Sequence, residues 1–229
     1  MKKPKWTTQA WIEFIKNLIK IVTGNKVSIS EKNDKLGRVP SVSLPSLLFC
    51  TCCGCWKKCY ANRMEKRRKE VREAYARNAK ILLNNPEEYW RQIKEVVRLN
   101  RFFRFHVSGE IPNYEYFCKM IETANENEHC DILCFTKKYE IVNRWIDGHG
   151  KSAESLPKNL HIIFSAWNDI EMVNPYNLPE AHIEFKNGKR TAPEGKEVIK
   201  CFGCCEECYL AGCGCWKLKP GEAVEFKEH

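Results

Sequence analysis

Cysteine is concentrated in two short segments of this chain, which together hold eleven of its 14 cysteines. The N-terminal cysteine segment, residues 50–59, contains Cys50, Cys52, Cys53, Cys55 and Cys59. The C-terminal cysteine segment, residues 201–215, contains Cys201, Cys204, Cys205, Cys208, Cys213 and Cys215. The pentapeptide Cys-Gly-Cys-Trp-Lys occurs at residues 53–57 and again at 213–217. Thiolates this close together repel one another unless a metal binds them or oxidation pairs them, so the pattern predicts two metal sites.

Iron–sulfur clusters suit these crowded thiols better than zinc does. A cubane cluster takes about four thiolates. In the N-terminal segment the best triad is Cys52, Cys55 and Cys59, for which Cys50 or Cys53 could substitute. In the C-terminal segment we expect Cys201, Cys205, Cys208 and Cys215 as ligands, with Cys204 and Cys213 as alternates. Zinc stays open because a two- or three-residue spacing between cysteines also suits it. A disulfide scaffold is disfavoured because such scaffolds are short and spread their cysteines along the chain.

Composition favours one soluble domain in the cytoplasm. The chain has 229 residues, of which 43% are hydrophobic, enough for a single well-buried core. It has no apolar run long enough to span a membrane, and its N-terminus lacks the apolar core and cleavage site of a secretion signal. The net charge of +9 permits a nucleic-acid partner. We do not favour that partner, because the basic run at residues 66–69 is typical of a solvated helix face.

Hydrophobic periodicity predicts alternating strands and helices. Helices are expected over residues 7–22, 62–83, 87–99, 114–124 and 139–146, and strands over 39–44, 102–107, 131–135 and 160–164. Two more strands are expected at 181–185 and 197–200, around a turn at 186–189, and a last one at 223–226. Such alternation implies parallel strands with right-handed crossovers.

The length of this region predicts an incomplete barrel. A full β/α barrel needs roughly 250 residues, so we predict an α/β fold that is an open, partial β/α barrel of about five or six strands. A doubly wound sheet is the alternative. We assign residues 1–38 to an N-terminal helix and linker, 39–190 to the partial barrel, and 191–229 to a cysteine-rich, cluster-binding segment.

Polar residues follow successive predicted strands. Ser108, Gly109 and Glu110 follow one strand, Lys137 follows the next, and Ser165 and Asn168 follow a third. Since ligands bind at the carboxyl ends of parallel strands, we expect these residues to share a pocket with the N-terminal cysteine segment. Glu110 is the strongest candidate for a functional carboxylate. His106, in a strand with Arg104, is interpreted as a histidine whose hydrogen bonds are satisfied within the fold.

The order of these motifs resembles a known superfamily. A strand, a cysteine loop with an aromatic residue beside its last cysteine, a helix, and a strand ending in Ser108-Gly109-Glu110 is similar to a radical S-adenosylmethionine enzyme. More closely, the segments 39–45, 59–61, 106–110, 135–137, 164–167 and 224–229 resemble the phage-type gene product 88 domain family, from about residue 36 to the end of the chain.

The resemblance implies two [4Fe–4S] clusters and S-adenosylmethionine as a cofactor. Ser108, Gly109 and Glu110 would contact its amino group. From their positions after strands, we also expect Lys137, Ser165 and Asn168 in the cofactor site. If the protein is an enzyme, it would cleave the cofactor reductively and act by radical chemistry on an unknown small or macromolecular substrate, with ferredoxin or flavodoxin as electron donor. If a phage encodes the protein, it would then work in the cytoplasm of the host cell.

The spacing of the triad keeps rival functions open. The superfamily spacing is Cys-x3-Cys-x2-Cys, whereas this chain has Cys52-x2-Cys55-x3-Cys59. A non-catalytic electron-transfer or cluster-storage protein is therefore one alternative. A zinc-stabilised nucleic-acid-binding module is another.

Overall fold

The computed structural model of the protein describes residues 7–50, 54–201 and 203–228. Its helices are α1 (Thr8–Ile21), α2 (Ser46–Phe49), α3 (Tyr60–Arg67), α4 (Lys69–Asn84), α5 (Pro86–Arg98), α6 (Tyr114–Glu126), α7 (Tyr139–Gly148) and α8 (Cys205–Leu210). Its strands are β1 (Ile29–Ser30), β2 (Ser41–Val42), β3 (Phe102–Phe105), β4 (Asp131–Thr136), β5 (Leu160–Ser165), β6 (Glu180–Glu184), β7 (Ile199–Lys200) and β8 (Ala223–Lys227). Short 3-10 helices lie at Gly54–Lys57, Ala153–Ser155 and Gly214–Trp216.

The strands form one open sheet in the order β1-β2-β3-β4-β5-β6-β8-β7. Every neighbouring pair is parallel except β1 with β2. The prediction of an open, largely parallel α/β sheet is therefore confirmed. The expected number of strands, five or six, was too low, because the described residues include an eight-stranded sheet. Among the eight strands, β1 is the one that lies outside the segments expected to be strands.

The C-terminal part of the sheet differs from the sequence-based expectation. The segments near 181–185 and 197–200 suggested a pair of strands around one turn, but β6 pairs with β8 and β7 lies on the far side of β8. Strand β8 is thus inserted between two strands that precede it in the chain. Non-local pairing of this kind leaves no periodic signal in the sequence, whereas the existence of β8 itself was predicted and is confirmed.

The two faces of the sheet are covered by different parts of the chain. One face packs against α5, α6 and α7 in a core that includes Trp90, Phe117 and Trp145. The opposite face carries Leu133, Ile163, Ala181 and Val224, and it packs against the C-terminal cysteine segment and Trp216. A doubly wound sheet would instead place helices on both faces.

The long helix expected over 62–83 is broken into α3 and α4. Arg68 separates them with an extended backbone, φ −114° and ψ 112°. The other helices lie close to their predicted bounds, and the Thr7 hydroxyl accepts a hydrogen bond from the Ala10 amide at the start of α1. No helix in the described ranges is long and apolar enough to cross a membrane.

Candidate functional site

The carboxyl ends of the central strands surround a cavity of about 230 Å³. Its wall brings together most of the residues that the sequence indicated: Cys50, Cys55, Cys59, Ser108, Gly109, Glu110, Lys137 and Ser165. Asn168 is exposed in the turn between Trp167 and Ile170 and lies outside this wall. Two further residues line the cavity: Arg104, which lies in β3, and His106, which follows that strand.

The Ser108-Gly109-Glu110 turn is held rigidly at the cavity. Gly109 has φ +87°, and a Cβ built on it would lie 2.9 Å from the Leu44 carbonyl oxygen, so only glycine fits there. The Glu110 carboxylate accepts hydrogen bonds from the Thr136 hydroxyl at 2.7 Å and the Lys137 amide at 3.2 Å. Burial raises the pKa of Glu110, although Lys137 and these hydrogen bonds oppose that shift.

Glu65 in α3 was missed by the sequence reasoning. Its side chain is buried, and its Oε1 accepts hydrogen bonds from the Ser46 amide and the Ser108 hydroxyl, both at 2.8 Å. Burial raises the pKa of this carboxyl. Glu65 therefore joins the two helices that flank the N-terminal cysteine segment to the Ser-Gly-Glu turn. In the sequence it looks like one more charge on a highly charged helix, and no local signal distinguishes it.

Three cysteines of the N-terminal segment face the cavity. Cys50 ends α2, Cys55 lies in the 3-10 helix Gly54–Lys57, and Cys59 precedes α3. Burial, together with the nearby charges of Glu110 and Cys59, raises the pKa of the Cys50 thiol well above its usual value. Cys55 is disulfide-bonded, whereas the Cys50 and Cys59 thiols are free. Cys52 and Cys53 lie outside the described residues.

Four thiols of the C-terminal segment lie together against the sheet. Cys201, Cys205, Cys208 and Cys215 pack on the same apolar cluster. Their charges act on one another, and burial raises the pKa of Cys208 to about 11 and that of Cys215 to about 12. These are the four cysteines that the spacing favoured as one ligand set.

The two alternates in this segment have different surroundings. The Cys213 thiol is hydrogen-bonded to Cys208. The Cys204 sulfur faces Gly37, 3.3 Å from the position that a Cβ there would occupy. Adjacent cysteines therefore differ in environment, because Cys205 begins α8 and faces the sheet while Cys204 precedes the helix.

Two cations accompany the four thiols. The buried Arg104 places Nη1 3.7 Å from the Cys205 sulfur, and its guanidinium lies 4.7 Å from the centre of the Phe135 ring. The half-buried Lys35 has its ammonium 5.0 Å from the Phe226 ring centre. Burial lowers the pKa of Lys35, and the nearby thiols Cys201, Cys205 and Cys215 oppose that shift.

The two cysteine segments lie at opposite ends of the parallel strands. Trp216 is buried at the start of β3 and β5, with its ring centre 6.4 Å from that of Phe102 and 6.1 Å from that of His161. Its indole Nε1 donates to the Cys205 carbonyl oxygen at 2.9 Å. The C-terminal segment therefore occupies the amino ends of the strands, whereas the N-terminal segment occupies the carboxyl ends.

The environment of His106 contradicts the sequence-based interpretation. Its imidazole is 4% exposed, and neither ring nitrogen has a hydrogen-bond partner among the described residues. Its backbone is left-handed, with φ +56°, a conformation that few non-glycine residues adopt. Burial lowers the pKa of His106 to about 3, so the ring is neutral at pH 7.

No three histidine, cysteine, aspartate or glutamate side chains in the described ranges form a group that could hold a single metal ion. A polynuclear cluster binds each of its thiolates to a different iron atom, so it needs its ligands further apart than one ion does. The composition of the C-terminal donor set, four thiols beside two cations, suits such a cluster.

Comparison with known proteins identifies the family. Residues 20–200 match the model of the family described as Gene product 88. The chain belongs to the Gene product 88 family. This match supports the resemblance to the phage-type family, but it begins before the expected residue 36 and ends just before the C-terminal cysteine segment. Neither curated proteins nor solved structures gave a significant match.

Proposed function

We propose that this member of the Gene product 88 family is an iron–sulfur protein with two [4Fe–4S] sites, one in each cysteine segment. The observation that carries the proposal is the group of Cys201, Cys205, Cys208 and Cys215 beside Lys35 and Arg104. Four thiols match the usual ligand number of one cubane. Helix α8 contributes Cys205 and Cys208, and the segments before and after it contribute Cys201 and Cys215.

The two cations supply the electrostatic support for this proposal. Buried positive charge is unfavourable unless negative charge accompanies it. Four protonated thiols provide no such charge, whereas thiolates bound to iron do. Because burial raises the pKa of Cys205, Cys208 and Cys215, metal binding must expel their protons, and Arg104 and Lys35 favour the resulting anion.

The cavity at the carboxyl ends supports the second site. Cys55 and Cys59 line it, and with Cys52 they would leave one iron free for a cofactor, as in the superfamily that the sequence resembles. Because Cys55 is disulfide-bonded, cluster assembly at this site requires reduction first. When bound there, the cluster would supply the electron that cleaves the sulfonium bond of S-adenosylmethionine.

The residues of this chain would position the cofactor and hold its charges. The ionised Glu110 carboxylate would pair with the cofactor's ammonium group, and Lys137 would attract its carboxylate. Thr136 and the Lys137 amide fix the Glu110 carboxylate in place, and Ser108 is held by Glu65. The proposal also includes a radical S-adenosylmethionine-like barrel, radical chemistry on an unknown substrate, and ferredoxin or flavodoxin as electron donor.

The position of Cys50 favours a second candidate function, non-catalytic electron transfer or cluster storage. Cys50 lies in the same cavity wall as Cys59, and the charge of Cys59 acts on it. If Cys50 supplies a fourth thiolate, no iron stays open for a cofactor.

The zinc-stabilised, nucleic-acid-binding module remains a prediction. The basic residues Arg67, Arg68 and Lys69 are exposed around the break between α3 and α4.

Anaerobic reconstitution under reducing conditions tests these functions against each other. Iron and acid-labile sulfide are measured first, because a protein that binds zinc alone contradicts the whole proposal. Electron paramagnetic resonance of the reduced protein is then recorded with and without S-adenosylmethionine. A shifted spectrum and formation of 5′-deoxyadenosine with dithionite support the enzyme. Two intact clusters with an unchanged spectrum and no deoxyadenosine support the electron-transfer alternative.

A further inference from the structure

The cavity at the carboxyl ends of the strands contains buried polar atoms that nothing in the described part of the chain satisfies. The Arg104 Nε and both ring nitrogens of His106 have no hydrogen-bond partner there. Both side chains are about nine-tenths or more buried, and both residues line this cavity. Buried polar groups in native proteins are almost always paired, so these atoms indicate a bound molecule.

Arg104 determines the charge that this molecule would carry. Its Nη1 is directed at the Cys205 sulfur and its guanidinium lies over Phe135. Among the described residues, Nε then has no acceptor. A planar guanidinium with a free donor recognises a carboxylate through charge-assisted hydrogen bonds. Lys35 also lines this end of the cavity, so two positively charged side chains contribute to its wall.

The other residues of the wall indicate which groups the molecule carries besides its carboxylate. Phe135 and Phe226 line the cavity near Arg104, and their rings lie edge to face with centres 5.7 Å apart. His106 stays neutral at pH 7, since burial lowers its pKa to about 3, so it offers one donor and one acceptor rather than a second positive charge. Arg104, Phe135 and Phe226 line only part of the cavity of about 230 Å³, so the molecule held at this end is small.

We propose that the cavity binds a small organic carboxylate, with the carboxylate on Arg104, an apolar body against Phe135, and an uncharged polar group at His106. Arg104 lies in β3, toward the interior from the Glu110 turn at the end of that strand. The carboxylate site is thus deeper than the site suggested for the cofactor. The inference does not require either cluster, and it names the substrate class that the resemblance leaves open.

Three probes of nearly equal shape but different charge test the proposal: benzoate, benzamide and benzylamine. Binding to the reduced protein is measured anaerobically by equilibrium dialysis and by saturation-transfer NMR, with the iron content of each sample recorded. We expect benzoate to bind about 10- to 100-fold more tightly than benzamide, as a charge-assisted hydrogen bond implies. Benzylammonium should bind more weakly still.

Two variants of Arg104 and one control locate the binding. R104Q should reduce benzoate affinity to that of benzamide, and R104K should retain part of the preference because it keeps the charge. R101Q is the matched control, since Arg101 is exposed and lies just before the same strand. If R104Q fails to fold, as judged by circular dichroism, R104K and the probe series still decide the outcome.

The proposal is overturned if wild-type protein binds benzamide as well as benzoate, or binds neither. It is also overturned if R104K and R104Q leave the preference for benzoate unchanged, or if R101Q removes that preference. Arg104 also lies beside Cys205, so the iron and sulfide content of each variant is compared with that of the wild type. A lost preference for benzoate at unchanged iron content concerns this proposal alone, and loss of iron at an unchanged preference concerns the iron–sulfur function alone.

Discussion

His106 makes the stability of this protein depend on pH in a definite window. The imidazole is buried without a hydrogen-bond partner among the described residues, and burial lowers its pKa from 6.5 to about 3. The unfolded chain therefore takes up a proton between these two values, while the folded protein does not. Stability is unaffected above pH 6.5 and falls as the pH decreases toward 3.

The size of this effect follows from the shift. Each pH unit below the unfolded pKa costs about 1.4 kcal/mol, so His106 contributes a loss of about 2 kcal/mol between pH 7 and pH 5. The substitution H106N removes the titration while keeping a residue that tolerates the left-handed backbone. The change in the free energy of unfolding from pH 7 to pH 5 should therefore be about 2 kcal/mol smaller in H106N.

Urea unfolding of the reduced protein, followed by circular dichroism at both pH values, measures this difference. Taking the change between pH values for each protein cancels the groups that the two proteins share. H129N, which removes an exposed imidazole, is the control for loss of a histidine. If wild type and H106N lose the same stability on acidification, His106 is not buried and neutral in the folded protein, and its proposed role in ligand binding loses its basis.

Three further substitutions test how the site is held together, each by urea unfolding. E65A leaves the Ser46 amide and the Ser108 hydroxyl without their acceptor, so it should lower the free energy of unfolding by about 2–5 kcal/mol. E65Q keeps an acceptor oxygen and should lose less stability. Equal losses in the two variants would contradict this role of Glu65. G109A places a Cβ against the Leu44 carbonyl at φ +87° and should lose about 1–3 kcal/mol, whereas a neutral result would mean that the turn relaxes. W216A should lose about 3–5 kcal/mol and release the C-terminal segment, seen as faster amide exchange in α8; unchanged exchange would refute the anchoring.

Local patterns in the sequence were enough to predict most individual elements. Apolar residues at helical spacing indicated α1, α5, α6 and α7, and short apolar runs indicated β3, β4 and β5. The ends of these strands then placed Glu110, Lys137 and Ser165 at one cavity, because parallel strands share one carboxyl edge. Asn168 does not line this cavity, since it is exposed in the turn between Trp167 and Ile170.

Features that depend on distant contacts could not be predicted in the same way. The insertion of β8 between β6 and β7 and the burial of Glu65 arise from pairing across the fold. The same holds for the position of the C-terminal cysteine segment at the amino ends of the strands, where Trp216 anchors it. Each cysteine set was visible as a cluster in the sequence, but which face of the sheet it would cover was not.

The adjacent pair Cys204 and Cys205 offers the most direct test of the iron–sulfur proposal. Cys205 lies beside Arg104 among the four grouped thiols, whereas Cys204 faces Gly37. After anaerobic reconstitution, the wild-type protein should hold about eight iron atoms and as many sulfides per chain, four for each cluster. C205S should lose about half of this iron, and C204S should keep all of it. Equal losses in the two variants, or a wild-type protein without iron and sulfide, would contradict the account.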